Sequence, residues 1–152
     1  MTMKMISIPD DFYFEGYRFS FSKDAIPKDA VYDYLSRDSY WARGISMELV
    51  ERSIENSICL GIYDNEGWLA GFGRMITDRA VFAYLADIFI LEAHRGKGLS
   101  KIMVQAFCNL AEQFQVRRTM LATLDAQGLY AQFEFEQLTN PERFMSRNGV
   151  TY

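Results

Sequence analysis

A basic, glycine-rich turn between a predicted strand and a predicted helix most limits the folds open to this chain. The turn reads His-Arg-Gly-Lys-Gly-Leu-Ser-Lys over residues 94–101. A long apolar segment, Phe82 to Leu91, precedes it and has the character of a buried strand. Apolar residues then recur at helical spacing from Leu99 to Phe114. A helix that begins after such a turn directs unpaired backbone N–H groups at one point, which predicts an anion site.

Composition predicts a single globular domain over residues 1–152. The chain is 49% hydrophobic and 24% charged, and its net charge of −4 disfavours a nucleic-acid partner. It has no signal-peptide core and no apolar run of membrane-spanning length, so we expect a cytoplasmic protein without a membrane partner. Cys59 and Cys108 lie in apolar runs and are expected to be reduced, buried thiols. With these two cysteines and one histidine, no metal site is expected.

Three successive strands joined by short turns predict an antiparallel meander. The strands are expected at 57–63, 68–77 and 81–91. Asp64-Asn65-Glu66-Gly67 forms the first turn and Asp78-Arg79 the second, because Asn and Gly accept the positive φ angles of tight turns.

The remaining elements complete an α/β pattern. Phe12 and Phe14 fit either a strand or a flap. The sequence then predicts a strand at 17–22, a helix through about residue 36, and a second helix with Ser46 as its N-cap. After the central helix come a buried strand at 119–124, parallel to 81–91, a short helix opened by Asp125 or Ala126, and final strands at 135–138 and 144–145.

Two familiar phosphate motifs fail on required residues. A P-loop built on Gly96-Lys97 needs a glycine at position 91 and a Ser or Thr at position 98, where the chain has Leu91 and Gly98. A dinucleotide fingerprint that starts at Gly96 needs its third glycine at Lys101.

A third motif fits: residues 95–100 resemble the pyrophosphate loop of the GNAT acetyltransferases, Gln/Arg-x-x-Gly-x-Gly/Ala, with Ser100 as the final small residue. Tyr130 matches a late tyrosine of that family, although Glu134 replaces the glycine that follows it. Residues 40–41 and 121–125 are similar to those of a bacterial single-domain subgroup of the same family. The resemblance implies the GNAT fold, in which an antiparallel meander is joined to a parallel pair of strands that splay apart.

The resemblance also implies an acetyl-CoA site in that splay. Backbone groups of Ile88, Phe89 and Ile90 would pair with the pantetheine arm. The pyrophosphate would be held by the backbone amides of the turn, those of Gly96, Lys97, Gly98, Leu99, Ser100 and Lys101. Arg95, Lys97 and Lys101 would add positive charge.

Two residues are the candidate proton handlers. The resemblance implies that Tyr130 is the general acid near the cofactor sulfur. Asp87 lies within an apolar strand, where an unpaired carboxylate is costly, so it is either a base or acceptor-binding group, or it is ion-paired with Arg74 or Arg79. His94 is expected to pack or to face solvent.

Four aromatic residues, Tyr40, Trp41, Phe82 and Tyr84, are candidates for the acceptor pocket. The implied function is acetyl transfer from acetyl-CoA to a small-molecule amine, directly and without a covalent enzyme intermediate, by a monomer or homodimer. A non-catalytic acyl-CoA sensor and a protein or peptide acetyltransferase remain alternatives.

Overall fold

The computed structural model describes residues 6–152 and contains one six-stranded sheet whose strands follow chain order. Every neighbouring pair is antiparallel except the last, which is parallel, so the predicted mixed α/β fold is confirmed. The strands are β1 (Phe12–Phe14), β2 (Tyr17–Ser20), β3 (Ile58–Tyr63), β4 (Leu69–Thr77), β5 (Phe82–Ile90) and β6 (Arg118–Met120). The helices are α1 (Lys28–Asp33), which continues as a π-helical turn (Tyr34–Asp38), α2 (Met47–Glu55), α3 (Leu99–Phe114) and α4 (Gln127–Ala131).

The helices bury both faces of the sheet. Along β3, Leu60 and Ile62 pack in the cluster that contains α3, whereas Cys59 and Tyr63 pack in the cluster that contains α1 and α2. Alternate side chains of a strand point to opposite faces, which explains why every residue of β3 is buried. None of the helices in the described part of the chain has the length and apolar character needed to cross a membrane.

The predicted tight turns are held by aspartate side chains. In the first, Asp64 Oδ1 accepts hydrogen bonds from the backbone N–H groups of Glu66 and Trp68, both at 2.9 Å. In the second, Asp78 Oδ1 accepts from three successive N–H groups, and these bonds lower the pKa of its carboxyl group. The predicted N-cap of α2 is also confirmed, because Ser46 Oγ accepts from Leu49 N.

Strand β5 contains one residue more than β4 across the middle of their pairing. Phe72 pairs with Phe89 and Arg74 pairs with Ala86, so Gly73 faces two residues of β5. Asp87 takes up the extra length with a φ of +53°. Such a β-bulge bends its strand locally and disturbs the ladder, which here occurs just beyond the point where β6 pairs with β5.

The end of the chain differs from the prediction in two ways. The strand expected at 119–124 is shorter, because β6 pairs with β5 only from Arg118 to Met120 before the two strands separate. The strands expected at 135–138 and 144–145 do not form. No strand of the sheet pairs with these two segments. Residues 136–152 are exposed, so their backbone groups are free to form hydrogen bonds with water.

Gly73→Ala is expected to destabilise the protein by about 1–3 kcal/mol through overpacking. A β-carbon at this position would lie 2.6 Å from Met103 Sδ and 3.1 Å from a ring carbon of Phe107. Both side chains are fully buried, so neither has open space to move into. The free energy of unfolding in urea measures the effect.

Gly128→Ala is the matched control for that substitution. Gly128 lies in α4, a β-carbon there meets no atom within 4 Å, and alanine favours helix. The stability of this variant should equal or exceed that of the wild type. If the Gly73→Ala variant were as stable as the wild type, the packing around Gly73 opposite the bulge would be loose.

Candidate active site

The site begins where β5 loses its neighbour. Strand β6 pairs only with residues 82–84, so the edge of β5 is open from the bulge at Asp87 onward. Leu91 N donates to Ala70 O, which places the backbone polar groups of Leu91, and by alternation those of Phe89, toward β4. The polar groups of Ile88 and Ile90 therefore face the open edge. The expectation that backbone groups of Phe89 pair with the ligand needs a correction, since they face β4, although the residue lines the cavity at the turn.

The glycine-rich turn closes one end of this edge. Gly96 and Gly98 have φ angles of +77° and +79°, and a β-carbon at either one would meet no atom within 4 Å. Positive φ therefore explains why glycine is required at both positions. Within residues 6–152, the backbone N–H groups of 96–101 donate no backbone hydrogen bond. The turn therefore offers a concave, backbone-lined cradle at the N-terminus of α3.

The basic side chains of the turn divide between two directions. Arg95 Nε donates to Ile90 O at 2.9 Å and Arg95 Nη2 donates to Tyr34 Oη at 3.3 Å, which fastens the turn to the end of β5. Lys97 is directed to β2, where its Nζ lies 3.2 Å from Tyr17 Oη. Lys101 is exposed. Neither lysine is among the residues that line the cavity at the turn, so the prediction that residues 97 and 101 hold the ligand depends on their backbone N–H groups.

Tyr17 supports the turn from behind. Its Oη lies 2.8 Å from His94 Nδ1, and the two rings meet edge to face. His94 is half-buried and lines the cavity at the turn with part of its surface. The sequence offered no sign of the Tyr17 contact, because about 80 residues separate the partners.

Two cavities meet in the splay. One cavity, about 460 Å³, extends from the open edge of β5 to the turn and is lined by Ile88, Phe89, Ile90, Arg95, Gly96, Gly98, Leu99 and Ser100, among others. The other, about 450 Å³, lies on the other side of the bulge and is lined by residues 84–88 and 121–124, among others. After the ligands that the sequence predicts, we call the first the cofactor cavity and the second the acceptor cavity. Both cavities share Tyr40, Trp41, Ile88, Asp125, Ala126 and Tyr130.

Tyr130 is the predicted acid and lies at this junction. Its side chain is largely buried, and its ring packs edge to face on Phe135. Burial raises the pKa of Tyr130 to about 12, and the neighbouring Tyr40 phenol contributes a smaller increase. The phenol therefore keeps its proton throughout the physiological range and can act as a proton donor.

Asp87 is held by two other elements. Arg74 Nε donates to one carboxylate oxygen at 2.6 Å, and Trp41 Nε1 donates to the other at 2.8 Å. Arg74 is held in turn by Ser57 Oγ at 3.0 Å. Of the alternatives for Asp87, the ion pair with Arg74 is therefore present, and the carboxylate still contributes to the wall of the acceptor cavity.

The predicted acceptor residues are brought together with one exception. Tyr40, Trp41 and Tyr84 line the acceptor cavity. Tyr40 Oη also accepts a hydrogen bond from Leu124 N at 3.2 Å, which joins the loop after α1 to the loop after β6 across the splay. Phe82 is not among the lining residues, since it lies at the start of β5, two residues farther from the splay than Tyr84.

The structure adds three residues that sequence reasoning did not assign to the site. Tyr34 stacks on Phe89 with ring centroids 4.0 Å apart, and Tyr17 supports the turn. Asp125 lines both cavities. The sequence contained a signal for Asp125 alone, since it follows a strand at the carboxyl edge of the parallel pair, where ligands bind in such folds.

Comparisons with known proteins agree with this geometry. The family model described as "Acetyltransferase (GNAT) family" matches residues 28–135. A crystal structure of a putative GNAT-family acetyltransferase from Xanthomonas campestris pv. campestris shares 37% identity and a TM-score of 0.83, covering 88% of this chain and 93% of that one. A curated Gibberella zeae protein, named a putative acetyltransferase, is 29% identical over 82% of this chain and 81% of its own length.

A more distant structure shows the fold alone. It is a Clostridium acetobutylicum protein described as a predicted acetyltransferase with acetyl-CoA, with 13% identity and a TM-score of 0.66 over 87% of this chain and 94% of that one. The match of the family model over most of the chain, together with the backbone cradle and the splayed strands, establishes that this chain belongs to the GNAT acetyltransferase family.

Proposed function

We propose that the protein transfers an acetyl group from acetyl-CoA to the amine of a small molecule, directly and without an acetylated enzyme. The observation that carries the proposal is the position of Tyr130, which lines both the cofactor cavity and the acceptor cavity. A proton donor at that junction can reach the leaving group of the acetyl donor in the cofactor cavity while the acetyl group passes to the amine in the acceptor cavity.

The cofactor cavity fits the chemistry of CoA. A pyrophosphate needs hydrogen-bond donors and positive potential, which the unpaired N–H groups of 96–101 and the start of α3 supply. An amide-containing arm needs alternating donors and acceptors, which the polar groups of Ile88 and the N–H of Ile90 supply at the open edge, while Ile90 O accepts from Arg95. The Clostridium acetobutylicum protein with the same fold is described with acetyl-CoA, which supports this assignment.

Tyr130 handles the leaving group in this proposal. Acetyl-CoA supplies a thioester, whose acetyl carbon forms a bond to the amine nitrogen while its bond to sulfur breaks. Tyr130 Oη gives its proton to the departing sulfur, so that a neutral thiol leaves. Because burial raises the pKa of Tyr130 to about 12, the phenol is protonated at every pH at which the enzyme works.

The amine must lose a proton before it reacts. An alkylamine of lysine-like pKa is mostly protonated at neutral pH, and its deprotonation costs about 4–5 kcal/mol. Asp87 is one candidate for the base, but Arg74 and Trp41 occupy one lone pair on each of its oxygens. We assign Asp87 to the acceptor side, where it orients the Trp41 indole, and the proton leaves through water.

The cysteines support direct transfer. Cys59 and Cys108 are both free, as expected, although Cys108 is only half-buried. Burial raises the pKa of the Cys59 thiol to about 11 and also raises the pKa of Cys108. Neither residue lines the two cavities, so neither thiol is placed to carry the acetyl group.

A thiol-release assay with acetyl-CoA and a panel of amines and peptides tests the proposed function. Release of free CoA that depends on a small amine, with the acetylated product identified by mass spectrometry, is the expected result. Tight binding of CoA without release for any acceptor would identify an acyl-CoA sensor. Release with peptides alone would identify a protein acetyltransferase.

Tyr130→Phe is expected to lower kcat by about 100-fold or more, since general acid catalysis typically contributes 10²–10⁴-fold. The KM for acetyl-CoA should change by less than about twofold, because the ring that packs on Phe135 remains. Tyr13→Phe, at a strongly exposed position in β1, is the control and should match the wild type. An unchanged kcat in the Tyr130→Phe variant would remove Tyr130 from the mechanism.

The pH profile gives an independent check on the same residue. With the pKa of Tyr130 at about 12, the rate should rise with pH as the amine deprotonates and should show no descending limb below pH of about 10. A tyrosine of ordinary pKa would be half ionised at about pH 10, and the rate would already decline there. Initial rates between about pH 7 and 10.5 distinguish these two profiles.

Gly98→Asp is expected to weaken CoA binding by about 100-fold or more, because it places a negative charge beside a bound pyrophosphate. Gly67→Asp is the matched control: Gly67 has a φ of +88°, close to the +79° of Gly98, and lies in the β3–β4 turn. The control should lose comparable stability and keep its CoA affinity. Isothermal titration with CoA measures the affinity of each variant, and thermal unfolding compares their stabilities. Equal CoA affinities of the two variants would place the cofactor elsewhere.

A further inference from the structure

The charges around the acceptor cavity have one sign. Two carboxylates, those of Asp87 and Asp125, are among its lining residues, and no Lys, Arg or His is. The cofactor cavity differs, since its lining is mixed in charge and includes Arg95 and His94 beside Asp38 and Asp125. A ligand that carries its own carboxylate or phosphate would therefore meet like charge in the acceptor cavity and no cation to neutralise it.

The two carboxylates are in different states. Asp87 is nearly buried and its charge is balanced by Arg74, with side-chain exposures of 10% and 16%. Asp125 is exposed at the junction of the cavities and belongs to none of the ion pairs formed among residues 6–152. Of the two, Asp125 therefore provides the uncompensated negative charge, and it does so next to the proton donor Tyr130.

The rest of the cavity wall is largely apolar. Four aromatic rings, including Trp41 and Tyr84, line it together with aliphatic residues such as Leu121 and Leu124. The indole of Trp41 is fixed by its hydrogen bond to Asp87 and by edge-to-face packing on Tyr40. Such walls suit a hydrocarbon or ring-bearing body, and aromatic faces also attract cations.

The geometry points to a specific acceptor class: a primary amine that is cationic in solution, has an apolar or aromatic body and bears no acidic group, with Asp125 as the residue that attracts its ammonium group. This inference rests on the proposed acetyl transfer. It makes Asp125 a specificity-determining residue, since an amino acid of the same side chain differs from such an amine only by a carboxylate.

Matched pairs of acceptors test the inference, namely phenethylamine against phenylalanine and tryptamine against tryptophan. In each pair we expect kcat/KM to favour the amine by about 100-fold or more, because like charges in close proximity cost several kcal/mol. The preference should shrink as salt is raised, since Asp125 is exposed and its field is screened.

Asp125→Asn identifies the residue responsible. The variant should raise the KM for the amine about tenfold or more and reduce the preference for the amine over its amino acid to below about tenfold. Because Asp125 also lines the cofactor cavity, both acceptors are compared at saturating acetyl-CoA. Asp24→Asn, an exposed acid outside both cavities, controls for the net charge and should behave as the wild type.

The outcomes separate this inference from the proposed function. Equal use of each amine and its amino acid would overturn the acceptor class while leaving acetyl transfer intact. A preference that survives in the Asp125→Asn variant would overturn the role of Asp125. Absence of transfer to any acceptor, with CoA still bound, would instead overturn the proposed function.

Discussion

Asp87 occupies the left-handed region of backbone space inside a strand, and its two hydrogen bonds keep it there. A non-glycine residue in this conformation costs on the order of 1–3 kcal/mol and persists only where its surroundings impose it. Here the bonds from Arg74 and Trp41, together with the absence of a side chain at Gly73, impose it. The resulting bulge lies just beyond the part of β5 that pairs with β6, so Asp87 is held where the two strands separate and between the two cavities that line the splay.

The two cavities depend on different kinds of structure. The open edge of β5 and the turn between Gly96 and Gly98 give the cofactor cavity its unpaired backbone groups. The acceptor cavity is lined by β5 and by two loops, which touch through Tyr40 and Leu124. Tyr130 lines both cavities and lies in helix α4.

Local patterns predicted most of the fold, and non-local pairing explains the errors. Helix α3 and the meander follow from periodicity and turn residues that lie within a few positions of each other. The last strands do not, because a strand at 135–138 requires an edge that accepts it, and alternation carries no information about that edge. In the site, glycine spacing located the turn. The partners of Asp87, by contrast, lie 46 and 13 residues away in sequence, and the partner of Lys97 lies 80 residues away.

The contact between Tyr40 and Leu124 has a consequence for how such an enzyme diversifies. This bond and the bond from Trp41 to Asp87 attach the loop after α1 to the rest of the site, and neither uses a backbone group of the cofactor cradle. Changes in that loop that keep Tyr40 and Trp41, which line both cavities, can therefore alter the wall of the acceptor cavity without touching the N–H groups of the glycine turn. In the proposed enzyme, a few substitutions beside these two residues would change the acceptor.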